Sequence, residues 1–131
     1  MGFIEVVNLG TPVSIMSIVD PNDYSHPHQP NTYAEVGNHG WAYTVRCCQI
    51  RFQAVKPGTH GLGDNTGNIY IVRKDGSRDD PGTIVAMVEK GDVYETPSGM
   101  AQGNCLNPYR YFIDADNVGD GAIVTLFIST N

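Results

Sequence analysis

The segment most able to carry chemistry is the loop "DADNVGDG", residues 114–121, which lies between two apolar runs. It contains three carboxylates, Asp114, Asp116 and Asp120, and carboxylate oxygens are ligands that Ca²⁺ prefers. The same letters also describe a turn, because Asp-Gly beside an apolar run is typical of a tight β-hairpin. The loop is therefore either a calcium site or the end of a hairpin.

The spacing within this loop favours the hairpin. An EF-hand places oxygen ligands at positions 1, 3 and 5, glycine at 6 and glutamate at 12. Counting from Asp114 puts Val118 at position 5 and Thr125 at position 12, and counting from Asp116 puts Val118 at position 3. Neither frame supplies the ligands. We predict a structural hairpin turn and keep Asp114, Asp116 and Asp120 as candidates for a calcium site of another kind.

Two histidines, His26 and His28, form a His-x-His pair that an extended backbone would turn to one face. Such a pair suits a metal, and the first cupin motif begins in this way, with a glutamate after three or four residues. Here six residues separate His28 from Glu35, and "PGTHGLGDN", residues 57–65, is only a loose counterpart of the second motif. His26 and His28 are therefore candidate ligands within what we otherwise interpret as an exposed polar loop.

Other catalytic signatures are absent from the sequence. It has no Gly-x-Ser-x-Gly elbow, Walker loop, Cys-x-x-Cys pair or His-Glu-x-x-His helix. The three cysteines, Cys47, Cys48 and Cys105, are too few and of odd number for a secreted disulfide framework, and we interpret them as small buried hydrophobes. We expect no enzymatic activity, no cofactor and no metal requirement.

Composition limits the class of protein. The 131 residues suit a single domain over residues 1–131, and 40% of them are hydrophobic. The formal charge of −6 argues against nucleic acid or an anionic membrane as a partner, since binding phosphate requires a basic surface. We find no targeting signal and no apolar run of the roughly 18 residues that a membrane span needs.

Short β-strands are the elements that must position these residues. No window keeps a helical apolar stripe over three turns, whereas β-branched residues and turn formers recur throughout. We predict an all-β fold, a jelly-roll-like antiparallel β-sandwich with an extended N-terminal segment and a long proline-rich loop. The predicted strands are Phe3–Leu9, Val13–Val19, Tyr43–Val55, Asn68–Arg73, Thr83–Val88, Asp92–Thr96, Tyr109–Asp114 and Ala122–Ser129.

The alternation of apolar residues reverses within the strand "AYTVRCCQIRFQAV". Val45 and Cys47 are apolar at odd positions, whereas Cys48, Ile50 and Phe52 are apolar at even positions. A regular strand cannot reverse its phase without turning its core face outward. We therefore predict a β-bulge or a sharp bend at Cys47–Cys48.

Two segments have the character of contact surfaces. The N-terminal run is strongly apolar, and residues 20–40 form a long loop or arm with three prolines. An apolar edge strand invites pairing unless it is covered, and long loops in compact domains are usually functional. The interaction residues that we predict from these segments, and from the tryptophan that follows the second, are Phe3, Ile4, Val6, Val7, Tyr24, Tyr33 and Trp41.

Three stretches, "NTGNIYIV", "GTIVAMVEKGDVYETP" and "NPYRYFIDADNVGDGAIVTLFI", in this order resemble small β-rich proteins of tailed-phage virions, especially head decoration (cement) proteins. The likeness extends over residues 43–131. It implies a jelly-roll-like fold, synthesis in a host cytoplasm, and assembly as a homotrimer on the capsid exterior. The implied partner is the major capsid protein, whose contacts a decoration protein reinforces.

Two other functions remain open. A β-sandwich of a phage tail or fibre could bind carbohydrate or a receptor, and aromatic rings would supply its stacking faces. The candidate rings are those of Trp41, Tyr43, Tyr70, Tyr94, Tyr109 and Tyr111. A small cupin-type metal enzyme is the other alternative, and it depends on His26 and His28.

Overall fold

The computed structural model describes residues 2–18, 45–97 and 108–130. The strands are β1 (Gly2–Glu5), β2 (Val13–Ser14), β3 (Val45–Gln53), β4 (Val55–Gly58), β5 (Gly61–Asp64), β6 (Ile69–Arg73), β7 (Ile84–Val88), β8 (Val93–Glu95), β9 (Tyr111–Ala115) and β10 (Gly121–Thr130). Single turns of 3₁₀-helix occur at Ile15–Ile18, Pro81–Thr83 and Pro108–Arg110. In these residues there is no α-helix, and no helix is long and apolar enough to cross a membrane.

The strands form two four-stranded antiparallel sheets and one ribbon. The first sheet has the order β1-β10-β3-β8, the second has the order β2-β9-β6-β7, and β4 pairs with β5 alone. The pairs are nested along the chain, with β1 beside β10, β2 beside β9, β3 beside β8 and β6 beside β7. The prediction of an all-β antiparallel sandwich is confirmed.

The two sheets share one apolar core. Ile50, Phe52 and Val124 face inward from the first sheet, and Ile71 and Ile113 face them from the second; all five side chains are 0% exposed. Burying a side chain of this size contributes about 1.5–3 kcal/mol relative to leaving it in water. The sandwich is therefore stabilised mainly by contact between its two inner faces.

The bulge predicted at Cys47–Cys48 is confirmed. In the pairing of β3 with β10, Phe127 lies opposite Gln49 and Ile128 lies opposite Cys47. One step along β10 therefore corresponds to two steps along β3, which leaves Cys48 as the extra residue of a β-bulge. The bulge explains how one continuous strand can reverse its apolar phase.

Other strand boundaries differ from the prediction. Tyr43–Val55 ends its pairing in the first sheet at Gln53, and after Ala54 the chain enters the ribbon strand β4. Strand β5 was missed because its sequence, "GLGD", has the composition of a turn. Val13–Val19 is a strand only at Val13–Ser14, because a 3₁₀ turn follows at Ile15–Ile18.

The N-terminal strand belongs to the core of the sandwich. β1 pairs with β10, and the side chains of Ile4 and Val6 are 2% and 0% exposed. The prediction that Ile4 and Val6 are interaction residues is therefore wrong: both are enclosed by the fold of their own chain. Phe3 is half-buried, whereas Val7 is 54% exposed and remains available to a partner.

Several predictions lie outside the described residues. They concern the proline-rich arm at 20–40, Cys105, and the candidate residues Tyr24, His26, His28, Tyr33 and Trp41.

Gly121, the first residue of β10, packs directly against the backbone of β1. A Cβ atom here would overlap the carbonyl oxygen of Ile4 and lie 3.1 Å from the Cα of Glu5. Because a paired backbone cannot move aside, we expect Gly121→Ala to lower the free energy of unfolding by about 3 kcal/mol, the upper range for overpacking. Urea denaturation followed by circular dichroism measures this change.

The matched control is Gly63→Ala in β5, because a Cβ atom there meets nothing within 4 Å. We expect it to change the free energy of unfolding by no more than about 0.5 kcal/mol. Equal stabilities for the two variants would contradict the close packing of β1 on β10.

Candidate functional site: the acidic loop

The loop at residues 116–120 passes from one sheet to the other. It joins β9 of the second sheet to β10 of the first, and these two strands do not pair with each other. The prediction of a hairpin at Asp120-Gly121 is therefore wrong, although the segment is a turn. The Asp-Gly signal reports the turn but does not report which strands the turn connects.

Asp120 is the best-connected side chain of this loop. Its carboxylate is 0% exposed and accepts hydrogen bonds from the backbone amides of Thr66 and Gly67, at 3.0 and 2.9 Å. The Thr66 hydroxyl donates to it at 2.9 Å, and the Lys56 ammonium lies 3.0 Å away. Successive backbone amides that converge in this way form an anion-binding nest, and here the chain's own carboxylate fills it.

The environment of Asp120 favours its charged form. Burial alone would raise the pKa of this carboxyl. The amide of Thr66, the ammonium of Lys56, the hydroxyl of Thr66 and the amide of Gly67 oppose burial, and together they hold the pKa of Asp120 below its usual value. Asp120 is thus an ionised carboxylate inside the fold, with a donor for each of its oxygens.

Further hydrogen bonds unite the connections at this end of the sandwich. The Val6 amide donates to the Asp120 carbonyl, and the Gly119 amide donates to the Val6 carbonyl. The Asn65 side chain donates to the carbonyl of Gly121 at 2.6 Å. The segment after β1, the segment after β5 and the acidic loop therefore form one hydrogen-bonded unit, which we call the loop end.

Asp114 is a buried carboxylate on the outer face of the second sheet. Its neighbours in β9, Ile113 and Ala115, face the core, so Asp114 points away from it. Asp114 is nevertheless 0% exposed. Its carboxylate accepts hydrogen bonds from the backbone amides of Gly10 and Arg78, both at 3.2 Å. Asp114 thus attaches two surface turns to the outside of the sheet.

Asp116 completes a polar group on the same face. Its carboxylate accepts a hydrogen bond from the Tyr70 hydroxyl at 3.0 Å and forms an ion pair with Arg78, also at 3.0 Å. Burial and the neighbouring carboxylate raise the pKa of Tyr70, so the hydroxyl keeps its proton and donates it to Asp116. The Nε atom of Arg78 is buried, has no hydrogen-bond partner in the described part of the chain, and lies 4.0 Å from the Asp79 carboxylate.

The three carboxylates that the sequence suggested as calcium ligands have different partners in the structure. Asp114, Asp116 and Asp120 each face hydrogen-bond donors of the chain itself. Among the described residues, no group of three or more His, Cys, Asp or Glu side chains is placed to hold a metal ion. The three aspartates therefore hold neighbouring turns of the chain in place. His26 and His28 lie outside the described residues.

The partners of these carboxylates were not found from the sequence. Lys56, Thr66 and Arg78 are distant from the loop along the chain, and nothing in their local sequence indicates the contact. The one available signal was the glycine-rich stretch at 61–67, because such stretches expose backbone amides to anions. The same stretch also has the composition of a turn, so its sequence does not single out the anion site.

Six of the eight exposed large apolar side chains of the described residues mark three surface regions; the other two are Leu9 and Phe127. Val7 and Val118 lie beside the hydrogen bond from Gly119 to Val6, at 54% and 62% exposure. Leu62 is on the β4–β5 ribbon. The third region comprises Val85, Met87 and Val93 on strands β7 and β8.

Replacing the buried carboxylate tests the anchoring role. Asp120→Asn preserves the shape of the side chain but turns an NH₂ group toward donors and leaves Lys56 without its counter-charge. We expect the free energy of unfolding to fall by about 2–4 kcal/mol, as measured by urea denaturation. Asp75→Asn is the control, because Asp75 is exposed and asparagine tolerates its φ of 65°. A loss no larger than that of the control would refute the anchor.

The depressed pKa of Asp120 also predicts a pH dependence. The unfolded chain takes up this proton first as the pH falls, so the stabilisation is present above about pH 4 and is lost below it. We expect the thermal midpoint of the wild type to fall more steeply below about pH 4 than that of Asp120→Asn. Parallel melting curves for the two proteins between neutral and acidic pH would contradict this assignment.

Comparison with known protein families, with curated proteins and with solved structures found no match to this chain.

Proposed function

We propose that this chain is a structural virion protein, a head decoration protein that binds the major capsid protein as a homotrimer. One observation carries the proposal: the acidic loop, the best candidate for chemistry in the sequence, is occupied by internal hydrogen bonds, whereas apolar side chains are left on the surface. Val118 is exposed within the same loop whose Asp120 is fully buried. Such a loop is built to present a fixed surface.

The nested order of the strands supports the same proposal. The first strand pairs with the last, the second with the second-last, and the inner strands likewise. This nesting gives the two-sheet order expected of a jelly roll, a fold used by viral capsid proteins. The fold by itself does not specify a function. It agrees with the sequence resemblance to decoration proteins over residues 43–131.

The surface of Val7 and Val118 is the part of the loop end best suited to a protein partner. Both side chains are more than half exposed, and they are attached to backbone that is fixed by the Gly119–Val6 hydrogen bond and by the Asp120 anchor. A rigid apolar surface loses little conformational entropy on docking. The net charge of −6 keeps the unbound protein soluble.

Co-expression with the major capsid protein encoded in the same genome tests the proposal. We expect the chain to sediment with assembled shells and to be a trimer by light scattering. The double variant Val7→Asp/Val118→Asp should weaken binding or trimer formation about tenfold or more, because it places charges in an apolar contact. Leu62→Asp, at 60% exposure, is the matched control and should bind normally.

A chain that stays in the supernatant at saturating concentration would overturn the proposal, as would a genome in which no major capsid protein accompanies it. Deletion of residues 1–9 is not a suitable test, because it removes Ile4 and Val6 from the core.

Carbohydrate binding is the second candidate, and Tyr70 is the observation that favours it. Its half-buried ring lies on the outer face of the second sheet, next to the polar groups of Asp116 and Arg78. Tyr94 and Tyr111 are less suitable because they pack against Phe52, at ring-centroid distances of 6.3 and 6.4 Å.

A glycan array distinguishes the two candidates. If the chain is a lectin, it binds a glycan, and Tyr70→Ala lowers the affinity by about tenfold through lost stacking. Binding to shells without any glycan binding selects the decoration function instead.

A further inference from the structure

Strands β7 and β8 place two sheet edges side by side. β7 is the last strand of the second sheet, β8 is the last strand of the first, and the turn Glu89–Asp92 connects them. Within residues 2–18, 45–97 and 108–130, β7 pairs only with β6, and β8 only with β3. No described strand pairs with the outer edge of either one, and the backbone groups there are able to pair with an added strand.

β7 lacks most of the features that protect an edge strand. Its sequence, "IVAMV", contains no charged residue and no proline, whereas the edge strands β1 and β8 carry Glu5 and Glu95. A bulge at Val85 interrupts the pairing with β6 near the start of the strand. The regular part from Ala86 to Val88 remains a template for strand addition.

A groove of about 350 Å³ opens between the end of β7 and β8. Its lining combines apolar and acidic side chains: Met87, Val88, Glu89, Asp92, Val93 and Tyr94. Met87 and Val93 are 53% and 41% exposed, although both are apolar. A side chain that entered the groove would cover them.

Among the residues that the structure describes, no cation pairs with the two carboxylates of the groove. Glu89 and Asp92 are both exposed, and neither forms an ion pair within the described residues. Lys90 is in the same turn but does not line the groove. A ligand that fits this lining carries a cation next to apolar groups.

We propose that this groove and the edge of β7 bind an extended segment of another protein, with alternating apolar residues and a lysine or arginine that meets Glu89 and Asp92. The backbone of the segment adds to β7, its apolar side chains cover Met87 and Val93, and its cation pairs with the two carboxylates. Main-chain hydrogen bonds give such a complex affinity, and the side-chain positions give it specificity. The site is separate from the Val7–Val118 surface and does not depend on the proposed function.

A second copy of this chain fits the groove less well. Two copies joined symmetrically through the same surface would bring two sets of Glu89 and Asp92 carboxylates together. Like charges at close range oppose association, and each copy carries a net charge of −6. Charge complementarity therefore selects a basic partner segment.

Fluorescence anisotropy with a labelled probe peptide tests the site. The probe alternates valine and threonine and has a lysine at each end; the control peptide has glutamate in place of lysine. We expect the wild-type protein to bind only the lysine peptide. Glu89→Gln/Asp92→Asn should bind it about fivefold more weakly at low salt, and the difference should shrink at high salt.

Apolar variants complete the test. Met87→Ser/Val93→Thr should weaken binding of the lysine peptide by about tenfold. The matched control, Leu9→Thr/Leu62→Ser, changes side chains of similar exposure outside the groove and should bind as the wild type does. Circular dichroism melts verify that each variant is folded.

The proposal is overturned if the lysine peptide does not bind, if the glutamate peptide binds equally well, or if the groove and control variants lose the same affinity. These outcomes are independent of shell sedimentation. If the protein sediments with shells but does not bind the lysine peptide, the proposed function stands and the groove proposal fails. If it binds the lysine peptide but does not sediment with shells, the groove proposal stands and the proposed function fails.

Discussion

The hydrogen bonds and the ion pair of the buried Asp120 carboxylate hold together the end of the sandwich where the chain crosses between its two sheets. The acidic loop leaves the second sheet, crosses the end of the sandwich and enters the first sheet at Gly121, where there is no room for a Cβ atom. A loop in that position needs a fixed path. Asp120 provides it by accepting from the backbone at residues 66 and 67 and by pairing with Lys56.

A buried ion pair is tolerated only when hydrogen bonds and the opposite charge replace the lost water, because removing the charges from water costs several kcal/mol per ion. Here the compensation is generous: two amides, one hydroxyl and one ammonium surround a single carboxylate. The ammonium is on Lys56, which is 30% exposed and retains part of its hydration. The arrangement therefore fixes the geometry of the loop end without isolating a charge in the core.

The fold class and the bulge could be predicted from the sequence, because both follow from the local alternation of apolar and polar residues. Ile50 and Phe52 face the core as the pattern requires, and the reversal at Cys48 predicts a bulge or a bend, of which the strand adopts the bulge. The role of the acidic loop could not be read in the same way. Whether Asp120-Gly121 closes a hairpin or crosses between sheets depends on which strands pair, and the donors at Lys56 and Thr66 are distant in sequence. The burial of Ile4 and Val6 was missed for the same reason, since it depends on β10.

The position of β10 has a consequence for how the chain acquires its structure during synthesis. β10 lies between β1 and β3 in the first sheet, so neither of those strands can complete its pairing until residues 121–130 have left the ribosome. Translation at about 5–20 residues per second leaves the apolar face of β1 uncovered for several seconds. Pairings this distant along the chain also form slowly. The apolar residues of β1 are therefore made first and covered last, so the order of synthesis opposes the order in which the first sheet can close.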